Sequence, residues 1–374
     1  MRESFQYRLF PTKHQATLLQ RALDECRWLY NHLLEQRKTA WEERQETVRL
    51  YDQHAALPAL KRERPQLATV HSQVLQNVAV RLDLAFRAFF RRVRAGEKPG
   101  FPRFRGAGRC DSFCYPQSGF AVDAEHGTVT LSKIGVVKVV VHRPIEGRIK
   151  TCCVKRSSTG KWYVTISCDD VPADRVPEST ASVGIDVGLT HFATLSTDEH
   201  IANPRFFRTD ERALAKAQRR LSRAAKGTPK RAKRRKPVAR IHERIRFRRH
   251  DFAHQTARRI VNRFGAIAVE NLAVNRMVHN HCLAKSIHDA AWGQFTAILA
   301  DKAACAGRSV VAVNPAYTSQ DCSRCGHRQP MPLGERVYRC RCCGLEMDRD
   351  QNAALNIVAL GQQSLGRVPR SSRL

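Results

Sequence analysis

Three acidic residues stand where the surrounding sequence is apolar or begins a helix. Asp186 lies inside one predicted buried strand, and Glu270 ends another. A carboxylate in a buried strand is costly unless it is ion-paired, capped or bound to a metal ion. The third acid is either Asp348 or Asp350, because the two share a predicted helix start where one can cap the helix while the other binds a ligand.

Acids arranged in this way could hold two Mg²⁺ ions against a phosphodiester. Magnesium prefers oxygen ligands, and two ions about 3.5–4 Å apart can stabilise both the attacking and the leaving oxygen. Ligands also tend to bind at the carboxyl ends of strands in open α/β sheets. The pattern therefore predicts metal-dependent hydrolysis without a serine or cysteine nucleophile. The structural alternatives are a buried ion pair for Asp186 and a capped turn for Glu270.

A cysteine cluster provides the most specific single motif. Cys322 and Cys325 form one CxxC pair, and Cys340 and Cys343 form a second pair after a gap of 14 residues. Four thiolates at this spacing predict one tetrahedral Zn²⁺ site, which is structural because no coordination position is left open. Cys342 falls outside the two-residue spacing. An unmetallated loop is the alternative, whereas a redox site would need one pair and not two.

The segment 205–249 is strongly basic, with 19 Lys or Arg residues against 3 acids. Leu214, Ala217 and Leu221 keep a helical spacing, so the sequence predicts two basic helices around a break at 227–229 rather than disorder. Such helices contact phosphates without reading base sequence; a solvated helix face is the alternative. The residues predicted to bind nucleic acid here are Arg219, Arg220, Lys230, Arg231, Lys233, Arg234 and Arg235.

The charge of the whole chain also indicates a polyanionic partner. The 374 residues carry a formal charge of +31, and 42% of them are hydrophobic, which is typical of a globular protein. No apolar run approaches the roughly 18 residues of a membrane span, and the N-terminus lacks the core of a signal peptide. We therefore expect a cytoplasmic protein that binds nucleic acid and no membrane.

The remaining cysteines are scattered and predict neither a metal site nor a disulfide framework. In the absence of an export signal we expect reduced thiols that act as small buried hydrophobic residues. These eight are Cys26, Cys110, Cys114, Cys152, Cys153, Cys168, Cys282 and Cys305.

Hydrophobic periodicity divides the chain into three kinds of structure. A strand at 3–9 precedes two helices at about 12–46 and 70–94, separated by a Pro-containing break at 57–65; Thr12 and Gln15 predict a capping box. Short strands then predict a small barrel that the first strand could complete, at 119–122, 128–132, 136–142, 148–155 and 162–168. After a predicted linker at 171–181, strands and helices alternate as in an α/β domain, with strands at 182–187, 190–196, 266–270 and 309–314 and helices at about 209–225, 238–264, 286–306 and 349–360.

The motifs together resemble the TnpB family, transposon-encoded RNA-guided DNA endonucleases related to type V CRISPR effectors. After an N-terminal YRLFPTKHQ, the chain carries GIDVGLTHFATLS, AVENL, LAKSIHDAAWGQF, NPAYTSQDCSRCG and CGLEMDRDQNAALNI in that order. The resemblance covers essentially the whole chain.

This resemblance implies a multidomain α+β fold. A wedge-like β-barrel would comprise 1–11 and 98–170, with a helical recognition module at 12–97 inserted between them. An RNase H-like (RuvC) α/β nuclease domain would comprise 182–317 and 346–361, interrupted by a zinc-ribbon target-nucleic-acid-binding insertion at 318–345. Composition further predicts a flexible tail at 362–374.

The family's functional residues can be carried over one by one. The catalytic, magnesium-binding acids fall on Asp186, Glu270 and Asp350, the last because it is the Asp of the Asp-x-Asn-Ala-Ala run. The zinc ligands fall on Cys322, Cys325, Cys340 and Cys343. Candidates on the second helix for reading DNA beside the target are Ser72, Gln73, Gln76 and Asn77, for which a solvated helix end is the alternative.

The function implied is cleavage of double-stranded DNA chosen by a guide RNA. The guide, made from the transposon end, would pair with the target strand while the protein reads a short adjacent motif. We expect one chain per guide RNA, two catalytic Mg²⁺ ions, one structural Zn²⁺ ion and a single site that cuts both strands in turn. The resemblance also implies a prokaryotic protein associated with the nucleoid.

Three other functions are weaker interpretations of the same sequence. A nuclease-inactive RNA-guided DNA-binding repressor is disfavoured because all three acids are present. A transposase is disfavoured by the cysteine cluster between the second and third acids, together with the N-terminal resemblance. A guide-free Holliday-junction resolvase would be smaller and less basic.

Overall fold

A computed structural model describes residues 1–173, 176–332 and 334–366, which form two compact units, Met1–Pro172 and Ala173–Leu374. The first unit begins with strand β1 (Glu3–Phe10), followed by helices α1 (Lys13–Arg44), α2 (Leu50–Glu63) and α3 (Ser72–Arg94), with a short 3₁₀ helix at Pro65–Thr69. Six strands follow: β2 (Ser112–Tyr115), β3 (Phe120–Asp123), β4 (Thr128–Leu131), β5 (Gly135–Val140), β6 (Arg148–Arg156) and β7 (Trp162–Asp169).

These seven strands make one antiparallel sheet in the order β2-β6-β7-β1-β5-β4-β3, a nearly closed barrel. The N-terminal strand β1 lies at its centre, pairing with β7 on one side and β5 on the other. Burial alternates strictly along β7, where Trp162, Val164, Ile166 and Cys168 face the core. This period of two is what a half-buried strand requires.

Two of the three helices of the first unit, α1 and α3, agree with the prediction, whereas α2 was not predicted. Thr12 and Gln15 form the predicted capping box at the start of α1. The predicted break at 57–65 is wrong, because α2 continues through Pro58 to Glu63. Leu57 and Leu60 are buried on either side of the proline, and this packing outweighs the missing backbone donor.

Two predictions about the scattered cysteines are also wrong. Cys114 of β2 lies directly opposite Cys153 of β6 and is joined to it by a disulfide, with 4.1 Å between the two Cα atoms. The pairing arises from strand register between segments far apart in sequence, which no spacing rule detects. Cys282 is exposed rather than buried, and Cys305 is partly exposed.

The second unit is built on a five-stranded mixed sheet. Its strands are β8 (Ser182–Val187), β9 (His191–Leu195), β10 (His200–Ala202), β11 (Ala266–Glu270) and β12 (Ser309–Val313), in the order β10-β9-β8-β11-β12. The pairs on one side of β8 are antiparallel, whereas β8, β11 and β12 run parallel.

The helices of the second unit are α4 (Phe206–Ser222), α5 (Pro229–Arg263), α6 (Val274–Met277), α7 (Ala284–Ala290), α8 (Trp292–Cys305) and α9 (Arg349–Ser364). A separate two-stranded sheet pairs β13 (Val337–Arg339) with β14 (Glu346–Asp348). The single helix predicted at 286–306 is divided at Ala291, which has a left-handed backbone with φ of 55°. Among the described residues, no helix is long and apolar enough to cross a membrane.

The predicted linker and tail are only partly described. Residues 171–173 and 176–181 form no helix and precede β8, while 174 and 175 lie outside the described residues. The tail predicted from 362 is wrong at its start, because α9 continues to Ser364 with Gly361 buried against the sheet. Residues 367–374 lie outside the described part of the chain.

The two faces of the five-stranded sheet have different partners. Val183 and Ile185 of β8 belong to a core shared with residues of α5 and α8 such as Ile260 and Phe295. The alternate residues of the same strand face α9, since a Cβ on Gly184 would collide with that helix. Asp186 follows Gly184 by two residues and therefore lies on the α9 face.

Candidate active site

The parallel pairing of β8 and β11 brings two of the predicted acids to one edge of the sheet. Ile185 lies opposite Val269 in the ladder, so Asp186 and Glu270 each occur one residue further along neighbouring strands. Ile185 and Val269 share the core on the far face, and the two acids therefore both point towards α9. Two acids separated by more than 80 residues in sequence become neighbours through this register alone.

Helix α9 brings the third acid to the same edge. Asp350, Ala354, Ile357 and Gly361 are all buried and follow each other at spacings of four, three and four residues, which places them on one face of the helix. Gly361 packs on Ala268 of β11, whose Cβ would lie 2.5 Å from an added Cβ. Close packing along this face fixes how far Asp350 stands from the strands.

The end of β8 comes close to the Asp350 carboxylate itself. A Cβ added to Gly188 would lie 3.9 Å from Asp350 Oδ2. The neighbouring acid has a different role, because one Asp348 carboxylate oxygen accepts hydrogen bonds from the backbone amides of Asp350 at 2.9 Å and Gln351 at 3.0 Å. Asp348 is thus the N-cap of α9, which leaves the Asp350 side chain to face the sheet.

The carboxylates influence one another electrostatically. Burial, followed by the charges of Glu270 and Asp350, raises the pKa of Asp186 well above its ordinary value of 3.8. Burial also raises the pKa of Glu270, although a hydrogen bond from Thr318 opposes this shift. Because two neighbouring acids and burial disfavour the charge of Asp186, a cation bound beside it would be strongly stabilising.

The acids do not already form a collapsed cluster. Within the described ranges, the ligand atoms of four cysteines all lie within 4.8 Å of one another. The carboxylate oxygens of the three acids are not all this close together. Asp350 is instead held by two arginines, Arg349 at 3.2 Å and Arg336 at 3.5 Å. The donor set is entirely carboxylate oxygen, which fits Mg²⁺.

Three residues at this site were not predicted from the sequence. Arg336 and Arg349 hold Asp350, and the Thr318 hydroxyl donates to Glu270 Oε1 at 2.6 Å. Thr318 is 2% exposed, so its hydroxyl is shielded from water and its bond to the carboxylate is correspondingly strong. Thr318 belongs to the motif NPAYTSQ, but no spacing rule connects it with an acid 48 residues earlier.

The segment that carries Thr318 is tied to α9 and continues into the cysteine cluster. The Asn356 side chain donates to the backbone carbonyls of Thr318 at 2.9 Å and Asp321 at 2.7 Å. Asn352, which is fully buried, donates to the Asp321 carbonyl and accepts from the Ser323 amide at 2.9 Å. One helix therefore positions Asp350 directly and Glu270 through Thr318.

The four predicted zinc ligands come together in two symmetric turns. Sγ of Cys322 lies 3.6 Å from that of Cys343, and Cys325 lies at the same distance from Cys340. A tetrahedral Zn²⁺ site with Zn–S bonds of about 2.3 Å needs sulfur atoms about 3.8 Å apart, so the residues fit the metal. The exposed Cys342 is outside the cluster.

Backbone donors favour the thiolate form of Cys340. The Cys343 amide lies 3.5 Å from Cys340 Sγ, and this contact leads the interactions that lower the pKa of Cys340 to about 6. Each CxxC turn closes through a glycine with positive φ, Gly326 at 76° and Gly344 at 70°. Only glycine adopts this conformation without strain, which is the physical reason for its place after each pair.

The predicted nucleic-acid-binding residues divide into two groups. Arg231 donates to the carbonyls of Leu221 at 3.1 Å and Ala224 at 2.7 Å, and Arg234 donates to that of Arg220 at 2.6 Å, so both guanidinium groups hold the turn between α4 and α5. The others project into solvent from α4 and α5: Arg219, Arg220, Lys230, Lys233 and Arg235.

The polar residues at the start of α3 are also partly engaged within the fold. Ser72 accepts a hydrogen bond from Lys61 at 2.8 Å, and the Gln73 side chain accepts from the Ser118 amide and hydroxyl. Ser72 and Gln76 are both exposed, whereas Gln73 and Asn77 are half-buried. Since Ser72 is engaged by Lys61, Gln76 is the better candidate for contacting DNA.

Three family models match successive parts of the chain. Their descriptions are "Helix-turn-helix domain" for residues 1–46, "Probable transposase" for 158–281 and "Cas12f1-like, TNB domain" for 292–357. In this structure, residues 1–46 form one strand and one long helix, β1 and α1, rather than a pair of helices.

Two relatives match almost the full chain. A protein from Streptomyces pristinaespiralis is 38% identical over 371 residues, covering 96% of this chain and 90% of the relative. A protein from Escherichia coli (strain K12) is 30% identical over 391 residues, covering 99% and 96%. Both carry the provisional name RNA-guided DNA endonuclease.

A solved structure shares the fold at low sequence identity. It is the cryo-EM structure of a Cas12f1–sgRNA–target DNA complex, which matches with a TM-score of 0.57 and 16% identity over 91% of this chain and 82% of that one. At this identity the likeness concerns the fold alone.

Proposed function

Because this chain belongs to the TnpB family of RNA-guided DNA endonucleases, we propose that it cuts double-stranded DNA at sites selected by a bound guide RNA. The observation that carries the chemistry is the meeting of Asp186, Glu270 and Asp350 at one edge of the second unit's sheet. The guide would come from the transposon end, with one protein chain for each RNA.

The three carboxylates would hold two Mg²⁺ ions. Such a pair, when bound, polarises the phosphodiester and favours its attack by water. The chain contributes geometry: Thr318 orients Glu270, while the packing of α9 sets the distance of Asp350 from the strands. Arg336 and Arg349 form ion pairs with Asp350 and thereby hold its carboxylate at the edge of the site.

We assign the domains on the same basis. The mixed sheet with α9 is the RuvC-like nuclease domain, from 182 to 317 and from 346 to the end of α9 at Ser364. The segment 318–345 is a zinc ribbon that binds target nucleic acid, with one Zn²⁺ held by Cys322, Cys325, Cys340 and Cys343. In the first unit, β1 and β2–β7 form the wedge-like barrel, and 12–97 is the recognition module.

The nucleic acids would lie against the basic and polar side chains that remain accessible. The exposed lysines and arginines of α4 and α5 would contact phosphates, whereas Arg231 and Arg234 would act by keeping the two helices together. Gln76 would be the accessible residue on α3 for contacting DNA beside the target.

The RNA-guided step can be tested before any chemistry. The protein would be purified from cells that carry its native locus, and the bound RNA would be sequenced. We expect one discrete RNA from the transposon end. Recovery of only random cellular RNA would contradict the guided function.

The catalytic assignment needs a variant that retains shape and loses charge. We expect Asp186→Asn to abolish Mg²⁺-dependent cutting of a matched DNA duplex while guide binding and target binding persist. Asp301→Asn, which removes an exposed acid from α8 in the same unit, is the matched control and should cut normally. Continued cleavage by Asp186→Asn would remove Asp186 from the catalytic set.

A further inference from the structure

We propose that the end of α3 and the loop after it form a stacking platform for an unpaired segment of the guide RNA. The inference rests on the proposed RNA-guided function, because that function supplies the RNA. We call this surface the α3 platform; it consists of Phe86, Phe89, Phe90 and Phe101 with Arg87, Arg91 and Arg94.

The aromatic part of the α3 platform is contiguous, and two of its four rings are exposed. Phe86, Phe89 and Phe90 lie on one helix face, and Phe101 packs edge-on against Phe86 at 5.6 Å and Phe89 at 5.5 Å between ring centroids. Phe86 is half-buried and packs against the core of the unit. Phe90 and Phe101 remain 52% and 47% exposed, so two rings present area to solvent from a fixed base.

The loop that carries Phe101 is held in place rather than free. The Asn31 side chain donates to the carbonyl of Arg105 at 3.0 Å and accepts from its amide at 2.7 Å. The Arg105 guanidinium also lies over the Tyr30 ring at 4.0 Å. The two exposed rings are therefore preorganised, which lowers the entropic cost of binding a base.

Arginines surround the outermost ring. Arg87, Arg91 and Arg94 line, together with Phe90, a concave space of about 260 Å³. Arg87 forms an ion pair with Asp83 at 2.7 Å. Arg91 and Arg94 are exposed, and their side chains have no hydrogen-bond or carboxylate partner among the described residues 1–173, 176–332 and 334–366. Two free cations beside an exposed ring are suited to a phosphate and an adjoining base.

This combination favours a nucleic-acid strand over a protein partner. A second copy of the chain would bring two arginine-rich surfaces together and would be repelled. An unpaired strand supplies both flat bases for the rings and phosphates for the guanidinium groups. RNA is the favoured strand because target DNA stays paired until a guide opens it.

Removal of one ring tests the proposal. The full chain, freed of bound nucleic acid, would be titrated with an unstructured 12-nucleotide uridine RNA. We expect Phe90→Ala to weaken binding roughly five- to 150-fold, as for loss of one stacked base worth about 1–3 kcal/mol. Phe90→Trp should bind like the unchanged protein. Tyr51→Ala removes an 83% exposed aromatic residue from α2 and is the matched control.

The arginines are tested by salt dependence. For a single strand, each phosphate contact contributes about 0.7 to the slope of log affinity against log salt concentration. We expect Arg91→Ala with Arg94→Ala to reduce that slope by about 1.4 if both contact phosphates, and Phe90→Ala to leave it unchanged. Arg44→Ala removes a carboxylate-paired arginine of the same unit and should have little effect.

Crosslinking of the complete complex identifies the strand. Ultraviolet irradiation of the protein with its native RNA and target DNA should join Phe90 or Phe101 to the RNA. A crosslink to DNA alone, a dimer that Phe90→Ala dissociates, or equal binding by Phe90→Ala and Tyr51→Ala would each overturn the proposal. If the unchanged protein carries a discrete guide and cuts DNA, these outcomes reject the α3 platform and leave the proposed function intact.

Discussion

Replacement of Gly184 by alanine tests whether the contact between β8 and α9 sets the geometry of the carboxylates. A Cβ at this position would lie 2.1 Å from the Ala354 carbonyl oxygen and 2.6 Å from the Val358 amide nitrogen. Both atoms are backbone, so no side-chain rotation can relieve the collision. Ordinary contact begins at 3.4 Å, and the helix must therefore move away from the strand by about 1 Å.

The movement should affect activity more than stability. Asp350 precedes Ala354 by one helical turn, so a shift of α9 displaces its carboxylate from Asp186. A misplacement of about 1 Å can lower a reaction rate by roughly 100-fold. Overpacking costs about 1–3 kcal/mol, which for a unit of this size lowers Tm by roughly 2–12 °C.

The assay compares two identical substitutions in one unit. Gly184→Ala and Gly293→Ala would be measured for cleavage of a matched duplex, for target binding and for Tm. A Cβ on Gly293, in the first turn of α8, meets no atom within 4 Å. This variant should therefore cut like the unchanged protein and melt at the same temperature or slightly higher. If Gly184→Ala cuts as fast as Gly293→Ala with the same Tm, the packing of α9 does not set the site.

Three further outcomes follow from the same contacts. Thr318→Val removes the hydroxyl that donates to Glu270 at nearly constant volume, so it should weaken Mn²⁺ binding to the DNA-bound complex, measured by calorimetry. Thr318→Ser keeps the hydroxyl and should retain Mn²⁺ affinity. Equal Mn²⁺ affinities of the two variants would contradict the orienting role of Thr318. The pKa of Asp186 is raised in the folded state, so between pH 3.8 and that raised pKa the native state binds more protons than the unfolded state. Without divalent ions, the free energy of unfolding should therefore fall as pH rises through this window. Asp186→Asn should therefore raise Tm at pH 7 in chelator, and an unchanged or lower Tm would count against the burial argument. Metal analysis should find one zinc per chain, lost in Cys322→Ala and retained in Cys342→Ala, and equal zinc in both variants would refute the assignment of the cluster.

Local patterns in the sequence determined most of the elements and part of the site. The apolar alternation of β7, the capping box of α1 and the spacing of the two CxxC pairs all depend on residues close together in the chain. Local geometry is enough for such features, because strand alternation, helix capping and metal turns are set within a few residues. The apolar surroundings of Asp186 also made it a candidate site residue on sequence grounds alone.

Only the tertiary structure decided how two nearby acids divide their roles and what surrounds them. The residue pattern alone left Asp348 and Asp350 open, and the family resemblance favoured Asp350. The hydrogen bonds to the first amides of α9 make Asp348 the cap. Thr318 reaches Glu270, and Arg231 holds a helix turn instead of pointing to solvent, through contacts that depend on packing. The disulfide between Cys114 and Cys153 depends in the same way on strand register. Such contacts join segments distant in the chain, and their register and packing distance are set by the whole core rather than by local spacing.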